Sequence, residues 1–258
     1  MPFAPSRNRR SLVNPKPQSV VKLGADCFME PCFVLKRLLS FAVLILLIGL
    51  GAPVTGGQEP RILLMGDSMM AANRFEGQAV SDVLEKALGQ AVTDHSVVGA
   101  RYFFFLPIAG EAGLRLPAQY RSGGWQWVVM NGGGNDLLFG CGCGKCARML
   151  DRLVSKDGRH GAIPDLVARI RLGGAKVIYT GYLRNPGTST PIKGCKPAGD
   201  ELDRRLALMS TFDEGVTFVS LAGLVPYGDL SYHGADRIHP SAKGSRAIGQ
   251  LIAAAMAK

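Results

Sequence analysis

From residue 61 onward the chain alternates five short aliphatic runs with longer stretches of helical periodicity, and few folds accommodate that alternation. The runs are 61–65 (RILLM), 91–98, 127–130 (WVVM), 176–179 (KVIY) and 216–220 (VTFVS). The last three are apolar on both faces, as central strands of a parallel sheet covered by helices must be. Helical patterns occupy 78–88, with Val80, Val83, Leu84 and Leu88 on one side, and 165–172, 201–209 and 241–256, the last capped by Ser241. Right-handed crossovers then give an α/β chain, a three-layer α/β/α sandwich of flavodoxin-like type on a five-stranded parallel sheet. With 47% of residues hydrophobic and 19% charged, the chain can bury one sizeable core, and residues 57–258 are expected to form a single domain.

Residues 1–56 read differently. A polar, basic stretch ends in Lys36 and Arg37, the apolar run 38–54 follows, and VTGGQ closes the segment with small residues. These are the three parts of a secretory signal peptide, with cleavage after Gly56. The alternative is a retained anchor, but a spanning helix wants about 20 apolar residues, and this run carries Gly49, Gly51 and Pro53 at its end. No Cys stands directly after the run, which argues against lipid attachment, and the Pro-rich stretch 1–28 leaves Met29 as an alternative start. The expected location is extracytoplasmic, periplasmic or secreted, with membrane contact only through this segment if it is uncleaved.

The net charge of +10 divides evenly. Residues 1–56 hold seven Lys or Arg against two acids, and the remainder holds 23 against 18, without a basic tract or interleaved aromatics. A solvated basic surface is therefore expected, and a nucleic-acid groove is not. Export would also let thiols pair. Cys27 and Cys32 precede the apolar run, leaving Cys141, Cys143, Cys146 and Cys195, an even number that suits two disulfides. Their C-x-C-x-x-C spacing is not a paired zinc knuckle, so no metal is assigned. Cys141, Cys143 and Cys146 fall in the loop expected directly after GGGND and Cys195 in the loop after the fourth strand; since the third and fourth strands should be neighbours, Cys195 should pair with one of the other three, and the remaining two locally.

In such sheets ligands bind beyond the carboxyl ends of the strands, and the polar motifs fall there: GDS after the first, the glycine of VVGAR after the second, GGGND after the third, and DRIHP after the fifth. Ser68 in the GDS turn could present its hydroxyl beside free backbone N–H groups at a helix start, but it needs a base. Of His95, His160, His233 and His239, only His239 has an acid, Asp236, three residues before it in a turn that could aim the carboxylate at one ring nitrogen. A GDS turn, a D-x-x-H pair or a GGGND turn is weak alone. Their joint appearance, in this order and each at a strand mouth, is not.

On these four blocks residues 60–258 resemble the SGNH (GDSL) hydrolases. The resemblance implies that Ser68 is the nucleophile, His239 the general base and Asp236 the acid that orients it. It further implies an oxyanion hole made by the Ser68 and Gly99 backbone N–H groups and the Asn135 side chain, within the block Gly133-Gly134-Asn135-Asp136. The usual leucine after GDS is Met69 here, a change of packing. The implied activity is esterase or lipase-type hydrolysis of an acyl ester through an acyl-enzyme, without metal or organic cofactor. Asp136 is expected to cap its loop, His95 and His233 to be structural or rim residues, and the aromatic run 102–105 to belong to the core more than to an acyl-binding wall. The substrate class is a small-molecule or glycan ester, and a monomer is expected. Two alternatives remain: an extracytoplasmic O-acyltransferase acting on a cell-surface glycan, and a non-catalytic glycan-binding protein of the same fold.

Overall fold

The computed structural model describes residues 61–258 apart from 105, 107, 109, 111 and 191. The expectations for the signal or anchor segment, Met29, Cys27, Cys32 and Phe105 lie outside the described residues. The elements in chain order are β1 (Ile62–Met65), α1 (Ser68–Ala71), α2 (Val80–Leu88), β2 (Val92–Asp94), α3 (Leu116–Gln119), β3 (Trp127–Met130), α4 (Gly134–Cys141), α5 (Ala147–Leu153), α6 (Ala162–Leu172), β4 (Lys176–Thr180), α7 (Lys196–Ser210), β5 (Val216–Val219) and α8 (Ala242–Met256). All five strands are parallel in the order β2-β1-β3-β4-β5. This is the expected α/β sandwich, and its order reverses between β1 and β3, the switch point at whose carboxyl ends such sheets bind ligands.

Because side chains alternate across a strand, each inner strand feeds two cores. Leu63 and Met65 of β1, with Val128, Met130, Val177 and Tyr179, pack under α4 to α7. Ile62 and Leu64, with Val129 and Ile178, pack against α2 and α8. Leu64 has no exposed surface, so truncating it to alanine would cost about 2–5 kcal/mol. On that second side α8 approaches α2 at Gly249, where a β-carbon would overlap the Val83 side chain.

The expected second strand, 91–98, is only three residues long. Asp94 ends it by accepting from the Ser96 N–H at 2.8 Å and the Ser81 hydroxyl at 2.7 Å, and by pairing with Arg74 at 2.8 Å. An aspartate that satisfies the next turn competes with the ladder. β2 and β5 are edge strands, so the expectation of two apolar faces fails for β5: Thr217 and Phe218 are only half-buried. The region after GGGND is a helix, a turn and a second helix, where the sequence suggests only a loop. Its signal is masked by glycine, which is a poor helix former yet supplies the left-handed caps at Gly133 (φ 95°) and Gly142 (φ 61°). Helix α7 starts five residues before the expected 201, with Pro197 in its first turn, where a missing N–H is harmless.

Candidate active site

The first strand ends at Met65, and the chain then turns through Gly66 at φ 153°, a backbone that L side chains rarely adopt. A β-carbon there would overlap Asn131 Oδ1. Gln119 fixes this glycine from both sides, accepting from its N–H at 2.7 Å and donating to its carbonyl at 2.9 Å. Asp67 then caps α1 by accepting from the Met69 N–H at 3.0 Å. The consequence is that Ser68 opens a helical turn, and its own N–H has no acceptor among the described residues.

His239 approaches from the loop before α8. Its Nε2 lies 2.9 Å from Ser68 Oγ, and its Nδ1 lies 2.5 Å from Asp236 Oδ2. The other Asp236 oxygen accepts from the backbone N–H groups of Ile238 (2.9 Å) and His239 (3.0 Å). Burial works against the Asp236 charge, but these hydrogen bonds and the nearby imidazole hold the carboxyl below the usual range. The turn is pinned by Gly234 N–H to His239 O (2.8 Å) and by Arg237 in the left-handed region (φ 57°). The structure thus brings Ser68, His239 and Asp236 into one hydrogen-bonded row.

Gly99 lies in the turn after β2 at φ 80°, and a β-carbon there would meet open space. Its N–H has no acceptor among the described residues. Asn135, in the first turn of α4, donates one amide hydrogen to Ala100 O at 3.1 Å, which leaves the second hydrogen of that group available. Asp136 ties down the loop after β2 rather than its own, accepting from the Tyr102 and Phe103 N–H groups at 2.9 Å each. Burial raises its pKa, against those two bonds and Arg101. Adjacent residues of one motif therefore fix the segment that carries Gly99.

His95 contacts Gln119 O through Nδ1 at 2.8 Å and supports the end of α3, whose Gln119 side chain holds Gly66. His233 is buried, neither ring nitrogen has a partner among the described residues, and burial lowers its pKa against the attraction of Asp236. Tyr102 is core, its hydroxyl 3.2 Å from that of Tyr179, while Phe104 is half-exposed beneath Arg101 at 4.4 Å, so the core expectation holds for the first and not the second. The four cysteines form two disulfides, Cys141–Cys146 and Cys143–Cys195, with Cα separations of 5.3 and 4.5 Å. One bridge is local and one joins Cys195 to the segment after β3, as expected, but Cys141 ends α4 and Cys146 caps α5 where a loop was expected.

Four polar residues at the site have no motif to announce them. Gln119 and Asn131 brace the GDS turn, and Asn73 braces the histidine loop. Tyr182, beyond β4, donates to Asp67 Oδ2 at 2.5 Å and accepts from the Gly134 N–H at 2.9 Å.

A model of the GDSL-like Lipase/Acylhydrolase family matches residues 64–247. Among solved structures the chain is similar to a candidate SGNH hydrolase from Slackia heliotrinireducens (23% identity, TM-score 0.53, covering 77% of this chain and 100% of that one). It is also similar to a candidate acylhydrolase from Bacteroides fragilis (21%, 0.54, 89% and 98%) and to the lipase Lip_vut3 from a goat rumen metagenome (16%, 0.51, 75% and 96%). At these identities the likeness is one of fold. No curated protein matches the chain.

Proposed function

The chain belongs to the GDSL-like Lipase/Acylhydrolase family, which makes it an ester-hydrolysing enzyme of esterase or lipase type, and from that premise we propose that it works through Ser68, His239 and Asp236. The observation that carries the proposal is the row Ser68 Oγ, His239 Nε2 at 2.9 Å, and His239 Nδ1 to Asp236 at 2.5 Å. Ser68 Oγ attacks the ester carbonyl carbon while His239 Nε2 takes its proton, and Asp236 holds the ring and offsets the imidazolium charge. The tetrahedral oxyanion is met by the Ser68 and Gly99 N–H groups and the free Asn135 amide hydrogen. As the carbonyl re-forms, the bond to the alcohol oxygen breaks and His239 protonates that oxygen. Water, deprotonated by His239, then attacks the acyl-enzyme, and the proton returns to Ser68 Oγ as the acid departs.

The two disulfides suit an oxidising compartment, and this supports export of a domain spanning residues 57–258. The test is a chain-length series of p-nitrophenyl esters with wild type and Ser68→Ala, together with labelling by a fluorophosphonate. Wild type should hydrolyse esters and take the label, and Ser68→Ala should do neither while keeping its circular dichroism. Labelling of a folded Ser68→Ala protein would remove Ser68 from the role of nucleophile.

A further inference from the structure

Two of the three oxyanion donors proposed above come from different strands. Ser68 N–H follows β1, and the Asn135 amide follows β3, so something must set the spacing between the two segments. The ladder does so only as far as Met65 and Met130, the last paired residues. Beyond them both strands turn through glycines, Gly66 on one side and Gly132 to Gly134 on the other.

Past that point the two segments meet on one side chain. The Tyr182 hydroxyl donates to Asp67 Oδ2, in the residue before Ser68, and accepts from the N–H of Gly134, in the residue before Asn135. The ring lies flat enough against Gly134 that any β-carbon there would overlap it. The tyrosine backbone is itself anchored, because Arg184 donates to Tyr182 O at 3.0 Å and pairs with Asp200 and Asp203 of α7. Asn131 closes the ring of contacts: its Nδ2 donates to Asp67 Oδ1 at 2.9 Å, and its Oδ1 accepts from the Asp67 N–H at 3.0 Å.

We propose that Tyr182 is the positioning residue of the oxyanion hole, holding the Ser68 and Asn135 segments in register through the Asp67 carboxylate and the Gly134 N–H. The proposal rests on the catalytic reading above. A phenol is suited to the task because one oxygen can donate and accept at once, and the rigid ring reaches across from β4 with two torsions. A donor displaced by a fraction of an ångström stabilises the transition state less while leaving ground-state binding nearly intact.

The same contact governs the Asp67 charge. Asp67 is almost wholly buried, and burial raises its pKa; the bonds from Tyr182, Asn131 and Met69 and the nearby His239 oppose that rise, with Tyr182 the largest of them. The groups that also feel this carboxylate are Asp136 of α4, Tyr102 and Tyr179. Without the Tyr182 hydroxyl, Asp67 should take up a proton at higher pH than in the wild type. The proton would sit on the vacated Oδ2, while Oδ1 keeps the Asn131 and Met69 bonds, so what is lost is the link through Tyr182 to Gly134.

The experiment is steady-state kinetics of Tyr182→Phe, Asp67→Asn and the double variant on a short-chain p-nitrophenyl ester, from pH 5 to 9. Tyr182→Phe should lower kcat by about tenfold or more with KM within about twofold, since the loss falls in the transition state. Its acid limb should differ from that of wild type, because Asp67 takes up a proton at higher pH, and the difference should disappear in the double variant. The kcat losses of the two single variants should be strongly non-additive. Unchanged kcat in folded Tyr182→Phe, or additive losses with an unaltered pH profile, would overturn the proposal. If Tyr182→Phe does not accumulate folded, Asp67→Asn alone decides: kcat should fall about tenfold at constant KM, and an unchanged kcat rejects the idea. Wild type without esterase activity would instead overturn the catalytic reading itself.

Discussion

Asn73 donates from a single amide nitrogen to Pro240 O at 3.1 Å and to Ser245 Oγ at 2.9 Å, so a residue five positions after Ser68 holds the carbonyl that directly follows His239. Ser68 and His239 lie 171 residues apart in sequence, and this link ties the loops of the proposed nucleophile and base together. Asn73 also sits at φ 61°, where asparagine is tolerated and alanine costs about 1–2 kcal/mol. Two substitutions therefore separate strain from contact. Asn73→Gly should lower kcat/KM by loosening the histidine loop while leaving thermal stability higher than that of Asn73→Ala, and Asn73→Ala should lose both. Equal kcat/KM for wild type and Asn73→Gly would show that Pro240 is held without it.

Asn135→Ala should lower kcat by on the order of 10²-fold with little change in KM, because an oxyanion donor acts mainly in the transition state. The variant also releases Ala100 O, the acceptor of the other amide hydrogen, so the Gly99 turn loosens with it. Preserved kcat in steady-state assays would take Asn135 out of the oxyanion site.

His233 gives a pH dependence of stability with a definite sign. Burial favours its neutral form, so its folded pKa lies below its unfolded value of about 6.5. Above about pH 6.5 neither state binds the proton, and the full stability is present. As the pH falls from there toward the folded pKa, the unfolded chain gains a proton that the folded one refuses, and stability declines. Thermal unfolding from pH 7.5 to 5 should show that decline, and His233→Phe should remove its share of it. A Tm profile identical in the two proteins would mean that the ring titrates alike in the folded and the unfolded chain.

Much of this site is legible in the sequence because its parts obey local rules. GDS and GGND each follow an apolar run and D-x-x-H-P lies in the connection after the last one, and a parallel sheet carries such ends to one edge, so Ser68, Gly99, Asn135 and His239 can be placed before any coordinates are known. What is not legible is whatever depends on contacts between segments. Tyr182 stands in KVIYTGYLRN with nothing to distinguish it from Tyr179, and only the packing of β4 beside β3 turns its hydroxyl toward Asp67. The helices α4 and α5 are hidden for a different reason: Gly140, Gly142 and Gly144 erase the helical period, while Leu137, Leu150 and Leu153 in the core supply the driving force. The short β2 is a third case, where Asp94 satisfies a turn that the aliphatic run around it conceals.

The two disulfides differ in what they close, and this gives a graded prediction. Cys141–Cys146 spans five residues and joins the end of α4 to the start of α5, whereas Cys143–Cys195 spans 52 residues and joins the same turn to the start of α7. In the chain-entropy model the first contributes about 2 kcal/mol and the second about 4 kcal/mol, because the longer loop restricts the unfolded chain more. Replacing both cysteines of a pair with serine should therefore destabilise the protein more for Cys143 and Cys195 than for Cys141 and Cys146, measured by urea unfolding under oxidising conditions. The catalytic consequence should differ too. The long bridge ties together the helices that follow β3 and β4, so breaking it should raise KM by letting that wall of the crevice move. It should spare kcat, since Ser68 and His239 stand on the loops after β1 and before α8, which are held by Asn73 and Gln119 rather than by sulfur. A variant without the Cys143–Cys195 bridge that loses kcat at constant KM would place the staple in control of the reacting groups instead, through α4 and the Gly134 N–H that Tyr182 accepts.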